Sequence, residues 1–167
     1  MSSRIIIDGY NFLGMDAGVL RDIESERDGL IERLRLYKKA RRADVTVVFD
    51  GTHSGRLMNE HERRAGVEVV FSRDGIDADT VIRGLSDRYG AGATVVTSDN
   101  ALASYAASRG AVVLSSPEFE GLLEAALYEE LKGVKPGDEE DESHDRKGPS
   151  RRLPKEERKK RMRIKKL

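Results

Sequence analysis

Three consecutive isoleucines, Ile5 to Ile7, are followed directly by Asp8 and Gly9. An unbroken run of β-branched apolar residues is typical of a central strand in a parallel sheet, where both faces are covered. Open sheets of this kind collect their ligands at the edge formed by the carboxyl ends of the strands. The run therefore predicts a buried strand that places the Asp8 carboxylate at a ligand-binding edge.

Further apolar runs along the chain repeat the strand pattern, with helical patterns between them. The strands are expected at Val45–Phe49, Val67–Phe71, Thr94–Thr97 and Ala111–Leu114, and the helices after Ser25, Asp79, Asn100 and Ser116. Strands alternating with helices predict a three-layer α/β domain around a central parallel sheet of about five strands. Residues 12–23 are expected to form a loop over the site. Residues 52–66 are expected to form a second loop, with a short helix ending at Gly66.

The formal net charge of zero conceals two strongly charged segments near the end of the chain. Residues 129–145 carry a net charge of −6, residues 146–167 carry +10, and residues 1–128 carry −4. This pattern predicts a folded domain at residues 1–132, an acidic flexible linker at 133–149 and a basic arm at 150–167 with a helical tendency. A strongly cationic arm favours a polyanionic partner.

Several classes of protein are disfavoured by what the sequence lacks. Cysteine is absent, so disulfides and thiolate metal sites are excluded. No apolar stretch is long enough for a membrane helix or a secretory signal, and a cytoplasmic protein is expected. Neither a dinucleotide-binding nor a Walker-type glycine pattern follows the first strand, so a nucleotide cofactor is not expected.

Acidic residues follow the predicted strands at similar positions. Asp8, Asp50 and Asp99 each end a strand, and Asp79 opens the helix after another. Because parallel strands end at one edge, these carboxylates are expected to converge there. Close carboxylates either take up protons or bind a divalent cation, and an oxygen-only set favours Mg²⁺ or Mn²⁺.

Each acid also has an ordinary structural explanation. Asp79 and Asp99 are suitable helix caps, and Asp-Gly pairs at residues 8–9 and 50–51 are common in turns. Two other uses of strand-end acids are disfavoured by missing partners. A haloacid-dehalogenase-type phosphatase needs an acid where Tyr10 stands, and a phosphoacceptor receiver needs a lysine after the last strand. Metal-dependent hydrolysis of a phosphodiester is the chemistry that suits the set best.

The same segments together resemble the NYN domain, in its YacP-like bacterial branch, within the PIN-like nucleases. The resemblance rests on Asp8-Gly9-Tyr10-Asn11, Phe49-Asp50, Val70-Phe71-Ser72, Ala78-Asp79-Thr80-Val81-Ile82 and Val96-Thr97-Ser98-Asp99. It implies a metal-dependent ribonuclease with a PIN-like sheet.

Roles for single residues come from this resemblance, motif by motif. It implies that Asp8, Asp79 and Asp99 bind the metal and that Asp50 is a further acid of the site. It also implies that Asn11 orients a carboxylate, a water or a phosphate. Ser98 is expected to hold the Asp99 side chain in position without binding the metal itself. Asn100 stands where related nucleases often have another acid, so the number of metals stays open.

RNA is the expected partner, and basic residues are predicted to bind its phosphates. They are Arg73 and Arg83 near the site, and Arg151, Arg152, Lys155, Arg158, Lys159, Lys160 and Arg161 in the arm. Structured RNA, the ribosome included, is a plausible docking surface for the arm. Two alternatives stay open from sequence: a non-catalytic RNA- or ribosome-binding protein, and a phosphatase acting on small phosphoesters.

Overall fold

The computed structural model describes residues 4–14, 22–52, 54–133 and 154–167. In chain order the elements are β1 (Arg4–Asp8), α1 (Gly9–Leu13), α2 (Ile23–Arg41), β2 (Asp44–Phe49), β3 (Glu60–Arg64), β4 (Val67–Phe71), α3 (Ala78–Tyr89), β5 (Ala93–Val96), α4 (Asn100–Ser108), β6 (Val112–Leu114), α5 (Ser116–Lys132) and α6 (Lys155–Ile164). None of the helices in these described ranges has the length and apolarity needed to cross a membrane.

The six strands form one sheet in the order β3-β4-β2-β1-β5-β6. Every neighbouring pair is parallel except β3 with β4, which is antiparallel. In the centre, Ile7 of β1 is aligned with Val47 of β2 on one side and with Val96 of β5 on the other. The carboxyl ends of β1, β2 and β5 therefore lie side by side, as the sequence predicted.

Apolar residues on the two faces of the sheet form two separate buried clusters with the helices that cover them. The domain therefore has three layers. Ile5 and Ile7 pack with α2 and α5, whose buried residues include Leu34 and Phe119. Ile6 packs on the other face against α3 and α4. All three isoleucines are fully buried, which confirms the prediction of a central strand covered on both sides. The predicted three-layer α/β architecture is confirmed.

The predicted loop at residues 52–66 was wrong in part, because a sixth strand lies within it. Glu60–Arg64 pairs antiparallel with β4, and residues 65 and 66 form the tight turn between the two strands. Both turn residues have positive φ, as two-residue hairpins favour. The strand carries only charged residues and a histidine, because it is an exposed edge with no apolar face. An apolar pattern could not reveal it.

One short helix, α1, was not predicted, and the starts of α2 and α5 differ from the sequence predictions. The expected loop at residues 12–23 was wrong at both ends, since Phe12 belongs to α1 and Ile23 begins α2. Helix α2 is capped by Asp22, which accepts a hydrogen bond from the Ser25 amide. Helix α5 is capped by Ser115 rather than Ser116, because Ser115 forms a reciprocal capping box with Glu118.

The basic arm contains a helix, α6, that packs against the domain itself. Leu167 is buried in the same apolar cluster as α2 and α5, and its main-chain oxygen accepts a hydrogen bond of 2.9 Å from the Tyr37 hydroxyl. Lys159 donates to the main-chain oxygen of Gly110, and Lys160 pairs with Glu118. The thin apolar stripe of the arm therefore packs on the surface of its own domain.

Much of the predicted acidic linker, residues 134–149, lies outside the described residues, as do Arg151 and Arg152. The proposed division into a domain, a linker and an arm stays a prediction.

Replacing Leu167 by alanine is expected to loosen α6, because a buried leucine side chain contributes about 2 kcal/mol or more to stability. Amide hydrogen exchange in α6 should become faster, and the free energy of unfolding in urea should fall. Leu131→Ala is the matched control, since Leu131 is 83% exposed and its loss should change stability by less than about 0.5 kcal/mol. Equal exchange rates in both variants would contradict the docking of the arm.

Candidate functional site

Four carboxylates lie around the carboxyl edge of the sheet, where the sequence predicted them. Asp8 is the last residue of β1, Asp50 follows β2, and Asp99 follows the loop after β5 and precedes α4. Asp79 lies in the first turn of α3. The charges of Asp50, Asp79 and Asp99 all act on the carboxyl group of Asp8. The elements that carry them therefore converge on β1.

Asp8 has the most perturbed carboxyl group of the four. Burial, which disfavours the charged form, raises the pKa of Asp8 from its ordinary 3.8 to about 6. This value of about 6 already includes a hydrogen bond from the Asn11 backbone N–H, which lowers the pKa, and the negative charges of Asp79, Asp99 and Asp50, which raise it. A carboxylate in this position is destabilised near neutral pH and would gain from a cation beside it.

Asp79 and Asp99 both have local partners. The Arg83 guanidinium donates to both oxygens of Asp79, at 3.1 and 3.2 Å. Asp99 caps α4, since its Oδ1 accepts a hydrogen bond of 2.8 Å from the Leu102 amide. Helix α3 is capped not by Asp79 but by Asp77, through Thr80. Capping thus explains Asp99 in part, and it does not explain Asp79.

Asp50 is held in a turn that leaves little space. Its Oδ1 accepts a hydrogen bond of 2.7 Å from the Thr52 amide, and the amide of the intervening Gly51 donates to the Ser72 hydroxyl at 2.8 Å. A Cβ atom at Gly51 would lie 1.9 Å from the Ser72 carbonyl oxygen, so only glycine fits there. This close packing joins the ends of β2 and β4.

Asn11 ties three segments of the edge together through one side-chain oxygen. Its Oδ1 accepts hydrogen bonds from the Ser98 amide at 2.8 Å and from the Ser116 hydroxyl at 3.1 Å. The Ser98 hydroxyl accepts a hydrogen bond from the Ser116 amide, and it is Thr97 whose hydroxyl accepts one from the Asp99 amide. Ser98 therefore joins the loop after β5 to the start of α5. The implied contact of Ser98 with Asp99 and the implied role of Asn11 toward a ligand stay predictions.

The donors suit a divalent metal in their chemistry but are not arranged as a ready-made set. All of the candidate ligands are carboxylate oxygens, which Mg²⁺ and Mn²⁺ prefer, and burial and mutual repulsion act on the half-buried Asp8. Within the described part of the chain, however, no three His, Asp or Glu side chains are placed together so that they could hold one ion. Binding through Asp8, Asp79 and Asp99 would require these side chains to draw closer.

The predicted RNA-binding residues divide into exposed and engaged groups. Arg73 is exposed, as are Lys155, Arg158 and Arg161 of α6. Lys159 and Lys160 contact the domain, and Arg83 pairs with Asp79 while its guanidinium lies 4.6 Å from the centre of the Tyr105 ring. RNA binding by these residues stays a prediction.

Arg27 and Ser116 contact residues of the carboxyl edge, although the sequence did not predict that they would. Arg27 lies in the early part of α2 and donates to the Tyr10 hydroxyl, although 17 residues separate the two. Ser116 contacts Asn11 across 105 residues. Neither carries a local signal, because an arginine in an amphipathic helix and a serine beside a cap are both commonplace.

Asp8→Asn is expected to stabilise the metal-free protein above pH 6. Because the pKa of Asp8 is raised in the folded protein, its contribution to stability is fully present below 3.8, the pKa in the unfolded chain, and is lost as the pH rises through about 6. A shift of this size corresponds to about 2–3 kcal/mol. Urea unfolding in EDTA should show this gain at pH 7.5 and little gain at pH 3.5, and a destabilised variant at pH 7.5 would contradict the strained position of Asp8.

The comparisons with protein families and with solved structures agree with each other. Comparison with curated protein sequences gives no significant match. Two crystal structures of Rae1 (YacP) from Bacillus subtilis, one of them of a mutant, are similar to this structure. The mutant has 26% sequence identity, a TM-score of 0.62, and coverage of 77% of this chain and 78% of that one. The other has 27% identity, a TM-score of 0.61 and 78% coverage of both chains. The family model for the YacP-like NYN domain matches residues 5–166, so the protein belongs to the YacP-like NYN family of PIN-like nucleases.

Proposed function

We propose that the protein is a metal-dependent endoribonuclease that hydrolyses RNA phosphodiester bonds at the carboxyl edge of the sheet. In this proposal Asp8, Asp79 and Asp99 bind Mg²⁺ or Mn²⁺, and Asp50 is a further acid of the site. The observation that carries it is the half-buried Asp8 carboxylate, on which the charges of the three other acids act. Membership of a nuclease family supports the same reaction class.

Each residue group has a distinct part in the proposed reaction. A bound ion would neutralise the phosphate and lower the pKa of the attacking water. The main chain of Asp8 is held at the end of a strand buried on both faces, so the point from which its side chain extends is fixed before RNA binds. Asn11 and Ser98 hold the loop that carries Asp99 against the start of α5, and these hydrogen bonds stabilise the conformation of the carboxyl edge of the sheet. Arg83, beside Asp79, is available to a phosphate if that pair opens.

RNA is proposed as the substrate because the exposed basic side chains of α6 can bind a phosphate backbone without selecting a sequence. Lys155, Arg158 and Arg161 are exposed on a helix that the domain holds in place. This arrangement supports docking on structured RNA, the ribosome included, and a cytoplasmic location goes with such a substrate.

A second candidate function is non-catalytic binding of RNA or of the ribosome. Three observations favour it: Asp99 caps a helix, Asp79 pairs with Arg83, and no ready-made set of three ligands lies among the described residues. Under this alternative the acids maintain the fold, and the basic helix supplies the affinity.

Asp8→Asn separates the two functions. Cleavage of a labelled mRNA, free and engaged by ribosomes, should fall by about 100-fold or more, since a ligand of the metal that activates the water is lost. Affinity for the RNA should be retained. The wild-type reaction should stop in EDTA and return with Mg²⁺ or Mn²⁺.

Asp44→Asn is the matched control for this experiment, because Asp44 begins β2 at the opposite edge of the sheet and pairs with Lys38. It should cleave at the wild-type rate. RNA binding by the wild type without metal-dependent cleavage would favour the binding protein instead. Hydrolysis of a chromogenic phosphate ester that RNA does not inhibit would favour a phosphatase.

A further inference from the structure

A cluster of aromatic rings and arginines borders the carboxylates on the α2 side of the sheet. Tyr10, Phe49 and Phe71 form its rings, with centroids 5.1 Å apart for Tyr10 and Phe49 and 5.6 Å apart for Phe49 and Phe71. The Arg27 guanidinium lies 5.2 Å from the centre of the Phe71 ring and 6.0 Å from that of Phe49. Arg27 also donates a hydrogen bond to the Tyr10 hydroxyl at 3.3 Å.

The rings are adjacent in the chain to residues of the proposed site. Tyr10 lies two residues after Asp8, Phe49 directly precedes Asp50, and Phe71 directly precedes Ser72, which packs on Gly51. The cluster therefore brings the Arg27 guanidinium to the carboxyl edge of β1, β2 and β4.

Arg27 differs from the other arginines of its helix in lacking an acidic partner. Three arginines of α2 pair with glutamates: Arg33 with Glu120, Arg35 with Glu32 and Arg41 with Glu129. Arg27 has no carboxylate within ion-pair distance among the residues that the structure describes, although it is half-buried. A half-buried cation held only by ring faces and a neutral hydroxyl retains N–H donors for an anion.

Arg56 adds a second guanidinium at the same ring. It lies 4.8 Å from the centre of Phe71, and its Nε is bound to Glu60, which leaves its terminal nitrogens available. Its loop is fixed by a hydrogen bond from the Asp74 amide to the Arg56 carbonyl oxygen. Two guanidinium groups thus lie within 5.2 Å of the centre of the same ring, and each retains N–H donors that phosphate oxygens can accept from.

We propose that Arg27, supported by Arg56, binds a backbone phosphate of the RNA next to the linkage that is cut. The Phe71 ring and the Tyr10 hydroxyl fix the guanidinium plane, so the phosphate is held at a set distance from Asp8. This inference rests on the proposed function for its substrate, and it assigns a substrate-binding role to a residue outside the carboxylate set.

RNA binding without cleavage tests the proposal directly. The probe is a 5′-fluorescein-labelled single-stranded RNA of mixed sequence, titrated with the Asp8→Asn protein over a series of salt concentrations. Adding Arg27→Met should raise Kd by about tenfold, as expected for the loss of a charged hydrogen-bonded contact. The slope of log Kd against log salt should fall by about one, since one phosphate contact is lost. Arg27→Lys should keep the slope and weaken binding less.

Arg35→Met is the matched control, because Arg35 lies on the same helix, is half-buried like Arg27 and pairs with Glu32. Its Kd and salt slope should stay at the Asp8→Asn values. Arg27→Met binding as tightly as Arg35→Met would overturn the proposal. A lower melting temperature with an unchanged salt slope would also overturn it, because Arg27 would then serve packing alone.

The outcomes also separate this inference from the proposed function. If the wild type cleaves RNA in an Asp8-dependent manner while Arg27→Met changes neither Kd nor KM, only the phosphate contact is refuted. If no metal-dependent cleavage is found but Arg27→Met weakens binding with the reduced slope, the contact stands as part of an RNA-binding surface and the nuclease proposal fails.

Discussion

Burial of the central strand is the interaction on which the candidate site depends. Ile5, Ile6 and Ile7 are fully buried between two helical layers, and each contributes about 1.5–3 kcal/mol to stability. The raised pKa of Asp8 corresponds to an opposing penalty of about 2–3 kcal/mol near neutral pH. Because the apolar contribution exceeds the electrostatic penalty, the strand can hold a destabilised carboxylate at its end. The destabilised Asp8 carboxylate is thus a local electrostatic cost that the burial of β1 outweighs.

The sequence predicted the architecture well where burial governed it. Continuous apolar runs identified β1, β2, β4, β5 and β6 to within about a residue, and the structure places all of them in one sheet. The missed strand, β3, has no buried apolar face, so its charged residues gave no signal. The misplaced starts of α2 and α5 have a similar cause. Several neighbouring residues are of types that can cap a helix, and only the three-dimensional path of the chain selects Asp22 and Ser115.

Prediction of the site was limited in another way. Strand ends located Asp8, Asp50 and Asp99, because the topology of a parallel sheet brings those ends together. Sequence could not give the partners that each acid has in the folded protein, such as Arg83 beside Asp79. It also could not give Arg27, which reaches the edge from a helix and is recognised only through the rings it covers. Contacts between distant segments depend on packing angles that no local pattern encodes.

The docked helix α6 has a further consequence for the sheet. An outer strand with free backbone groups invites pairing with another molecule, and proteins protect such strands. Here the two outer strands are protected differently. Strand β3 carries a row of charges, whereas β6 is flanked by α6, whose Lys159 and Arg163 bind the carbonyl oxygens of Gly110 and Ala91 at the starts of β6 and β5. A helix rich in lysine and arginine thus also shields this side of the sheet, so loss of residues 154–167 would expose β6 to edge-to-edge pairing.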